Sequence, residues 1–180
     1  ESGEPDGPAG ARVILAEGSS NHITGSHTED YDGAFYSRMS MDISGEGSLH
    51  IDADNEGLCS ERHLTINSGK LTIESGNDGI NANADGVSII AISGGHLRIA
   101  VTGATGEGDG IDSNGYLVIN GGTVVASANP AADAGLDSDL GSFIHGGTVV
   151  ALGSNMDWAE SDSGQVTMNL QFAAYQDSGC

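Results

Sequence analysis

The sequence predicts an all-β chain folded as a right-handed parallel β-helix, a solenoid of about five to six rungs with three short strands in each. Three observations carry that expectation. One pattern recurs as Gly47-Ser-Leu-His-Ile, Gly69-Lys-Leu-Thr-Ile, Gly95-His-Leu-Arg-Ile, Gly122-Thr-Val-Val-Ala and Gly147-Thr-Val-Val-Ala. It returns after 22, 26, 27 and 25 residues, a near-constant step that a β-sandwich would not keep. Glycine stands at 29 residues against 3 prolines, with aromatics at 4%. The glycines therefore mark turns, and the core has to come from short aliphatic strands stacked on their own copies.

The elements follow in chain order. Residues 1–11 read as a flexible leader, and residues 12–180 as a single β-helix domain. Arg12-Val-Ile-Leu and Asn21-His-Ile-Thr make a degenerate first rung. Each later rung opens on a short strand: Met41-Asp-Ile43, Leu64-Thr-Ile66, Ile90-Ala-Ile92, Leu117-Val-Ile119 and Ser142-Phe-Ile144. The glycine-led strand comes next, alternating polar and apolar with the period of 2 that half-buries a strand. Leu49, Leu71, Leu97, Val124 and Val149 then form one interior column, and Ile51, Ile73, Ile99, Ala126 and Ala151 another. The third element is a corner with an apolar first residue and a small third one: Phe35-Tyr-Ser, Leu58-Cys-Ser, Ile80-Asn-Ala, Ile111-Asp-Ser and Leu136-Asp-Ser.

Insertions at 101–108 and 127–133 lengthen two loops. Residues 152–165 read as a polar loop holding Trp158, and residues 166–175 as a strand that caps the last rung. An uncovered end would leave an open sheet edge. No segment has helical periodicity, which excludes ankyrin and tetratricopeptide arrays, and the Asn/Cys signature of leucine-rich repeats is missing.

A net charge of −21 leaves no cationic surface for nucleic acid or an anionic membrane. Solubility, cation capture and repulsion of like-charged partners remain. No apolar run reaches membrane-spanning length. The chain begins at Glu1, which reads as a processed product and points to an extracellular or cell-surface location. Cys59 and Cys180 leave three states open: one bond between them, a bond between chains, or two free thiols.

The corners carry the chemistry. Asp78-Gly-Ile-Asn81-Ala-Asn83 and Asp109-Gly-Ile-Asp112-Ser-Asn114 share one pattern; Asp133-Ala-Gly-Leu-Asp137-Ser-Asp139 is a variant, and Asn55-Glu56-Gly-Leu-Cys59-Ser-Glu61 a degraded copy. Stacking puts Asn81, Asp112 and Asp137 in one outward ladder, and Asn83, Asn114 and Asp139 in a second. Carboxylates about 4.8 Å apart repel by roughly 1 kcal/mol per pair in water, and several times more when desolvated. Calcium would offset that, because it takes six to eight oxygen ligands, and an all-oxygen set disfavours zinc or copper. The metal candidates are Asp78, Asn81, Asp109, Asp112, Asn114, Asp137 and Asp139. The plainer alternative is an Asn ladder with Asp-Gly turns. The histidines are scattered, with His50 and His96 on neighbouring strands and no pair at metal spacing. Tyr36, Tyr116 and Trp158, with Tyr31 and Phe143, are candidate sugar-stacking residues, few and dispersed.

Laid out in rungs, the chain resembles a bacterial family of secreted, carbohydrate-binding β-helix proteins, some linked to cellulose and polygalacturonate. The likeness rests on Gly33-Ala-Phe-Tyr-Ser-Arg, Leu64-Thr-Ile-Asn-Ser-Gly, Asn77-Asp-Gly-Ile-Asn-Ala-Asn, Gly108-Asp-Gly-Ile-Asp-Ser-Asn and Val118-Ile-Asn-Gly-Gly-Thr, and spans residues 12–178. It implies a pectate-lyase-like fold and calcium held by acidic residues between rungs, here Asp78, Asn81, Asp109, Asp112, Asp137 and Asp139. Cys59 stands where that family has Asn or Asp, and Ala134 replaces the aspartate before Gly135.

Three functions compete. The first is a non-catalytic, calcium-stabilised module for a polysaccharide, cellulose or pectate-like. Pectate would need bridging Ca²⁺, and neutral glucans would need the aromatics. The second is a structural subunit stacking head to tail into a filament or surface layer, with copies of itself as partner. The third is a polysaccharide lyase, which needs a Lys or Arg base beside the metal. Lys70, Arg38, Arg62 and Arg98 share no column with the acidic corner, so the expectation is no enzyme.

Overall fold

The computed structural model describes residues 10–155 and 157–174. The first rung is β1 (Ala11–Leu15), β2 (Ser20–Gly25) and β3 (Gly33–Ser37). The second is β4 (Met41–Gly45), β5 (Ser48–Ala53) and β6 (Glu56–Ser60); the third is β7 (Leu64–Ile66), β8 (Lys70–Ser75) and β9 (Ile80–Ala82). Next come β10 (Ile89–Ile92), β11 (His96–Val101) and β12 (Ile111–Ser113), then β13 (Tyr116–Ile119), β14 (Thr123–Ser127) and β15 (Leu136–Ser138). β16 (Gly141–Ile144) and β17 (Thr148–Leu152) end the series.

Each strand pairs with its counterpart one rung away. A first sheet runs β1-β4-β7-β10-β13-β16, a second β2-β5-β8-β11-β14-β17 and a third β3-β6-β9-β12-β15. The chain is thus an all-β parallel solenoid of about five turns with three strands per rung, as the repeat predicts.

The expected columns form the interior. Leu71 lies beside Leu97 and Ile73 beside Ile99, all at most 2% exposed. In β7 Leu64 and Ile66 are fully buried while Thr65 between them is half-buried. Burying each such side chain contributes about 1.5–3 kcal/mol. A one-residue slip would turn every one of them outward, so the period of 2 sets the register.

Two glycine columns let the rungs stack this closely. Gly69, Gly95, Gly122 and Gly147 turn the chain from the first sheet into the second with φ of 106°, 89°, 88° and 89°. That left-handed backbone favours glycine. Gly57, Gly79 and Gly110 enter the third sheet differently. A Cβ there would sit 2.6, 2.6 and 2.4 Å from the carbonyl oxygens of Gly79, Gly110 and Gly135 one rung on. The Asp-Gly pairs of the corners are therefore close-approach points rather than turn dipeptides alone.

Both ends depart from expectation. Ala11 already opens β1, so it belongs to the solenoid rather than to the leader, of which residues 1–9 lie outside the described residues. Residues 166–174 form no strand, and Val166, Met168, Leu170 and Phe172 are 69–95% exposed. Tyr175 and Cys180 lie outside the described residues. The edge of β16 is covered by an earlier segment instead. Ala159 bridges Ser142 in parallel, Glu160 N–H donates to the Ser142 carbonyl at 2.8 Å, and Gln165 N–H donates to that of Ile144 at 3.2 Å. These bonds use main-chain groups of β16 that a capping strand would have needed.

Candidate functional site

Two surfaces stand out, an acidic cleft on the third sheet and an aromatic strip on the first. The register of the third sheet aligns Cys59, Asn81, Asp112 and Asp137. The residue before each entering glycine makes a second column of Glu56, Asp78, Asp109 and Ala134. The two insertions fold back alongside, so that Asn77, Asp78, Glu107, Gly108, Asp109 and Asp133 line a cleft.

Side chains tie one rung to the next. The N–H of Ala134 donates to Asp109 Oδ1 at 2.6 Å, in the same way that Asp109 N–H donates to Asp78. Asp133 reaches back the other way, its Oδ2 accepting the Gly108 N–H at 2.6 Å. Asn81 Nδ2 donates to Glu56 Oε1 at 2.8 Å and to Asp78 Oδ2 at 3.1 Å.

These bonds leave the carboxylates under strong electrostatic load. Burial, reinforced by Asp78, Asp109, Asp137 and Asp139, pushes Asp112 up to about 8. Burial raises Asp78 to about 7 and Asp109 to about 6 against the pull of their main-chain donors, and it drives Glu56 and Asp137 upward as well. Among the described residues, the buried Asn81 Oδ1 and Glu56 Oε2 lack an N–H or O–H donor, on side chains only 7% and 6% exposed, and besides Asn81 the Cys59 thiol hydrogen-bonds toward the Glu56 carboxyl. An orphaned buried acceptor calls for a proton or a cation. The donor set is hard oxygen, which fits Ca²⁺. No three carboxylates of the cleft converge within 4.8 Å among the described residues. An ion would therefore need Asn81 Oδ1, main-chain carbonyls or water beside one or two carboxylates.

Of the predicted metal residues, Asp78, Asn81, Asp109, Asp112 and Asp137 come together. Asp139 is near enough to raise Asp112 and Asp137. Asn114 donates through Nδ2 to Asp85 Oδ1 at 2.7 Å and to the Asn83 carbonyl at 3.3 Å. Cys59 is buried and keeps its proton, because burial and Glu56 push the thiol up. Glu56 and Asp133 were missed as candidates. The signal for Glu56 was its place before Gly57, the place Asp78 and Asp109 hold before theirs. Among the described residues no Lys or Arg lines the cleft, and Lys70 sits on the second sheet between Ser48 and His96.

The aromatic side chains prove less dispersed than the sequence implies. On the outer face of the first sheet Tyr116 packs on Phe143 with ring centroids 6.1 Å apart, and Phe143 stacks on His145 at 6.2 Å. The Ser142–Ala159 bridge sets Trp158 beside Gly141, which is itself the register partner of Tyr116. Tyr116 and Trp158 are 40% and 57% exposed. Tyr36 is separate from them. It belongs to β3 on the third sheet, packs on Tyr31 at 4.9 Å, and its hydroxyl donates a hydrogen bond to Glu61 Oε1. Arg38 lies over Tyr31, 5.4 Å from the ring centre.

A family model described as "Carbohydrate-binding domain-containing protein" matches residues 9–169. No curated protein and no solved structure matches.

Proposed function

The chain belongs to the carbohydrate-binding domain-containing family, and we propose that it binds a neutral polysaccharide without cleaving it, on the outer face of its first sheet. The observation that carries this reading is the strip in which half-buried Phe143 joins exposed Tyr116 and His145, with exposed Trp158 beside it in register. Aromatic faces suit the apolar side of a pyranose ring, and they need no charge on the sugar. A net charge of −21 disfavours an anionic chain unless cations bridge it.

Calcium has a supporting part in the same proposal. Asp78 and Asn81 would hold it in the third-sheet cleft, with either Glu56 or Asp112 from a neighbouring rung and water completing the shell, relieving the repulsion there and stapling rungs together. The two oxygens without an N–H or O–H donor and the raised carboxylates support that role. A calcium-dependent, acidic solenoid suits an extracellular setting. The lack of a basic residue in the cleft supports binding over lyase chemistry.

The test is titration of cello-oligosaccharides and polygalacturonate into calcium-loaded protein. Binding of the neutral ligand, lost in Tyr116→Ala and Trp158→Ala, supports the proposal. Binding of polygalacturonate alone, indifferent to both changes, overturns the neutral-glycan reading. A second reading, self-association, is favoured by the alternating and exposed Val166, Met168, Leu170 and Phe172. Calcium-induced polymers in light scattering would establish it.

A further inference from the structure

The second sheet carries a cluster on its outer face that neither the cleft nor the aromatic strip uses. The parallel register of β2 and β5 sets His22 directly beside His50. Their rings meet edge to face, with centroids 4.8 Å apart and planes at 61°. Both aim Nε2 at one carboxylate. His22 Nε2 is 2.7 Å from Asp52 Oδ2, and His50 Nε2 is 2.9 Å from Asp52 Oδ1. Sequence reading found no histidine pair at metal spacing and placed His50 near His96. The register instead separates those two, since His96 pairs with Lys70 on β8, and β8 lies between β11 and β5.

The geometry points to a site for one divalent transition cation of the zinc class, held by Nε2 of His22, Nε2 of His50 and a carboxylate oxygen of Asp52. The ligand atoms of these three residues all lie within 4.8 Å of one another. A tetrahedral zinc ion with bonds of about 2.0–2.1 Å sets its ligands about 3.3 Å apart, so small side-chain rotations close the site. Imidazole nitrogen selects zinc, nickel or copper over calcium, which wants hard oxygen. Each ring can offer its Nε2 lone pair by carrying its proton on Nδ1. Glu74 lies beside Asp52 one rung on and adds negative charge at the site. The three ligand side chains are 56%, 36% and 39% exposed, so an ion enters from solvent and the fourth position stays open to water or a further ligand.

The experiment is calorimetric titration of Zn²⁺ into chelator-stripped protein held in excess Ca²⁺, which occupies hard-oxygen sites. One equivalent is expected to bind. His22→Asn and His50→Asn are each expected to weaken it at least about tenfold, while His96→Asn leaves it unchanged. Unfolding temperatures without zinc check that the variants fold. Co²⁺ in place of Zn²⁺ should give a visible absorption band in the parent alone. No zinc binding by the parent, zinc held equally by both variants, or loss in only one of the two would overturn the site.

Discussion

Asp78 and Asp109 are joined across the rung boundary, the Oδ1 of the first accepting the main-chain N–H of the second at 2.7 Å. The same two carboxylates each help to raise Asp112, so the groups that stitch the rungs together also load the cleft with charge. Structural and electrostatic roles therefore meet on the same side chains, and they can be separated by experiment.

Asp112→Asn removes a carboxylate that Asp78, Asp109, Asp137 and Asp139 all load with like charge, and it keeps the side chain's shape. In chelator the variant should melt above the parent, by about 2–4 °C for each kcal/mol of repulsion relieved. The gain in melting temperature on adding Ca²⁺ should shrink. An unchanged calcium response would remove Asp112 from the ligand set.

The pH dependence has a definite sign. Burial and its like-charged neighbours push Asp112 up to about 8 from the ordinary 3.8 of an aspartate, so the folded chain holds more protons than the unfolded chain between those values. The stability of metal-free protein must then fall as pH rises through that window, since the unfolded state binds fewer protons there. Asp78, at about 7, acts in the same direction. Melting scans in chelator should give a lower midpoint at pH 8.5 than at pH 5.5, and Ca²⁺ should flatten the difference. A midpoint that rises with pH in chelator would contradict the burial of this cleft.

Gly79→Ala should be destabilising although Gly79 lacks a left-handed φ. Its Cβ would lie 2.1 Å from Ile99 Cγ2 and 2.6 Å from the Gly110 carbonyl oxygen. Overpacking of this kind costs about 1–3 kcal/mol. Gly86→Ala is a useful contrast: nothing lies within 4 Å of its Cβ, and only its φ of 66° opposes the change. Chemical denaturation of both variants measures the two effects separately.

Tyr116→Ala should weaken binding of a neutral glycan by about two- to tenfold, the scale of one lost aromatic contact of about 0.5–1.5 kcal/mol. Tyr36→Phe should leave it unchanged, because Tyr36 stands on a different sheet with its hydroxyl committed to Glu61. Equal losses in both variants would place the sugar elsewhere.

The solenoid was legible because its signal is local and repeated. Leu49, Leu71 and Leu97 announce a column by recurring two residues after a glycine, and alternation alone says which face they take. The ladder of Asn81, Asp112 and Asp137 followed from the same register. Asp133 was harder to see, since it lies in a loop whose path no period describes, and only the fold carries it back to the Gly108 N–H. The cap failed for a related reason. The alternation of Val166, Met168, Leu170 and Phe172 is a strand signal, but Ala159 and its neighbours reach the open edge of β16 first.

By itself the sequence determined the fold class, the rung boundaries, the interior columns and the acidic corner, all consequences of a period that strand geometry must obey. Only the tertiary structure decided which distant side chains share a surface. It placed Glu56 against Asn81, Trp158 beside the glycine that partners Tyr116, and His22 beside His50 over one carboxylate. The physical reason is that a solenoid turns separations of a whole rung into a spacing of about 4.8 Å, and loop lengths set which residues meet there.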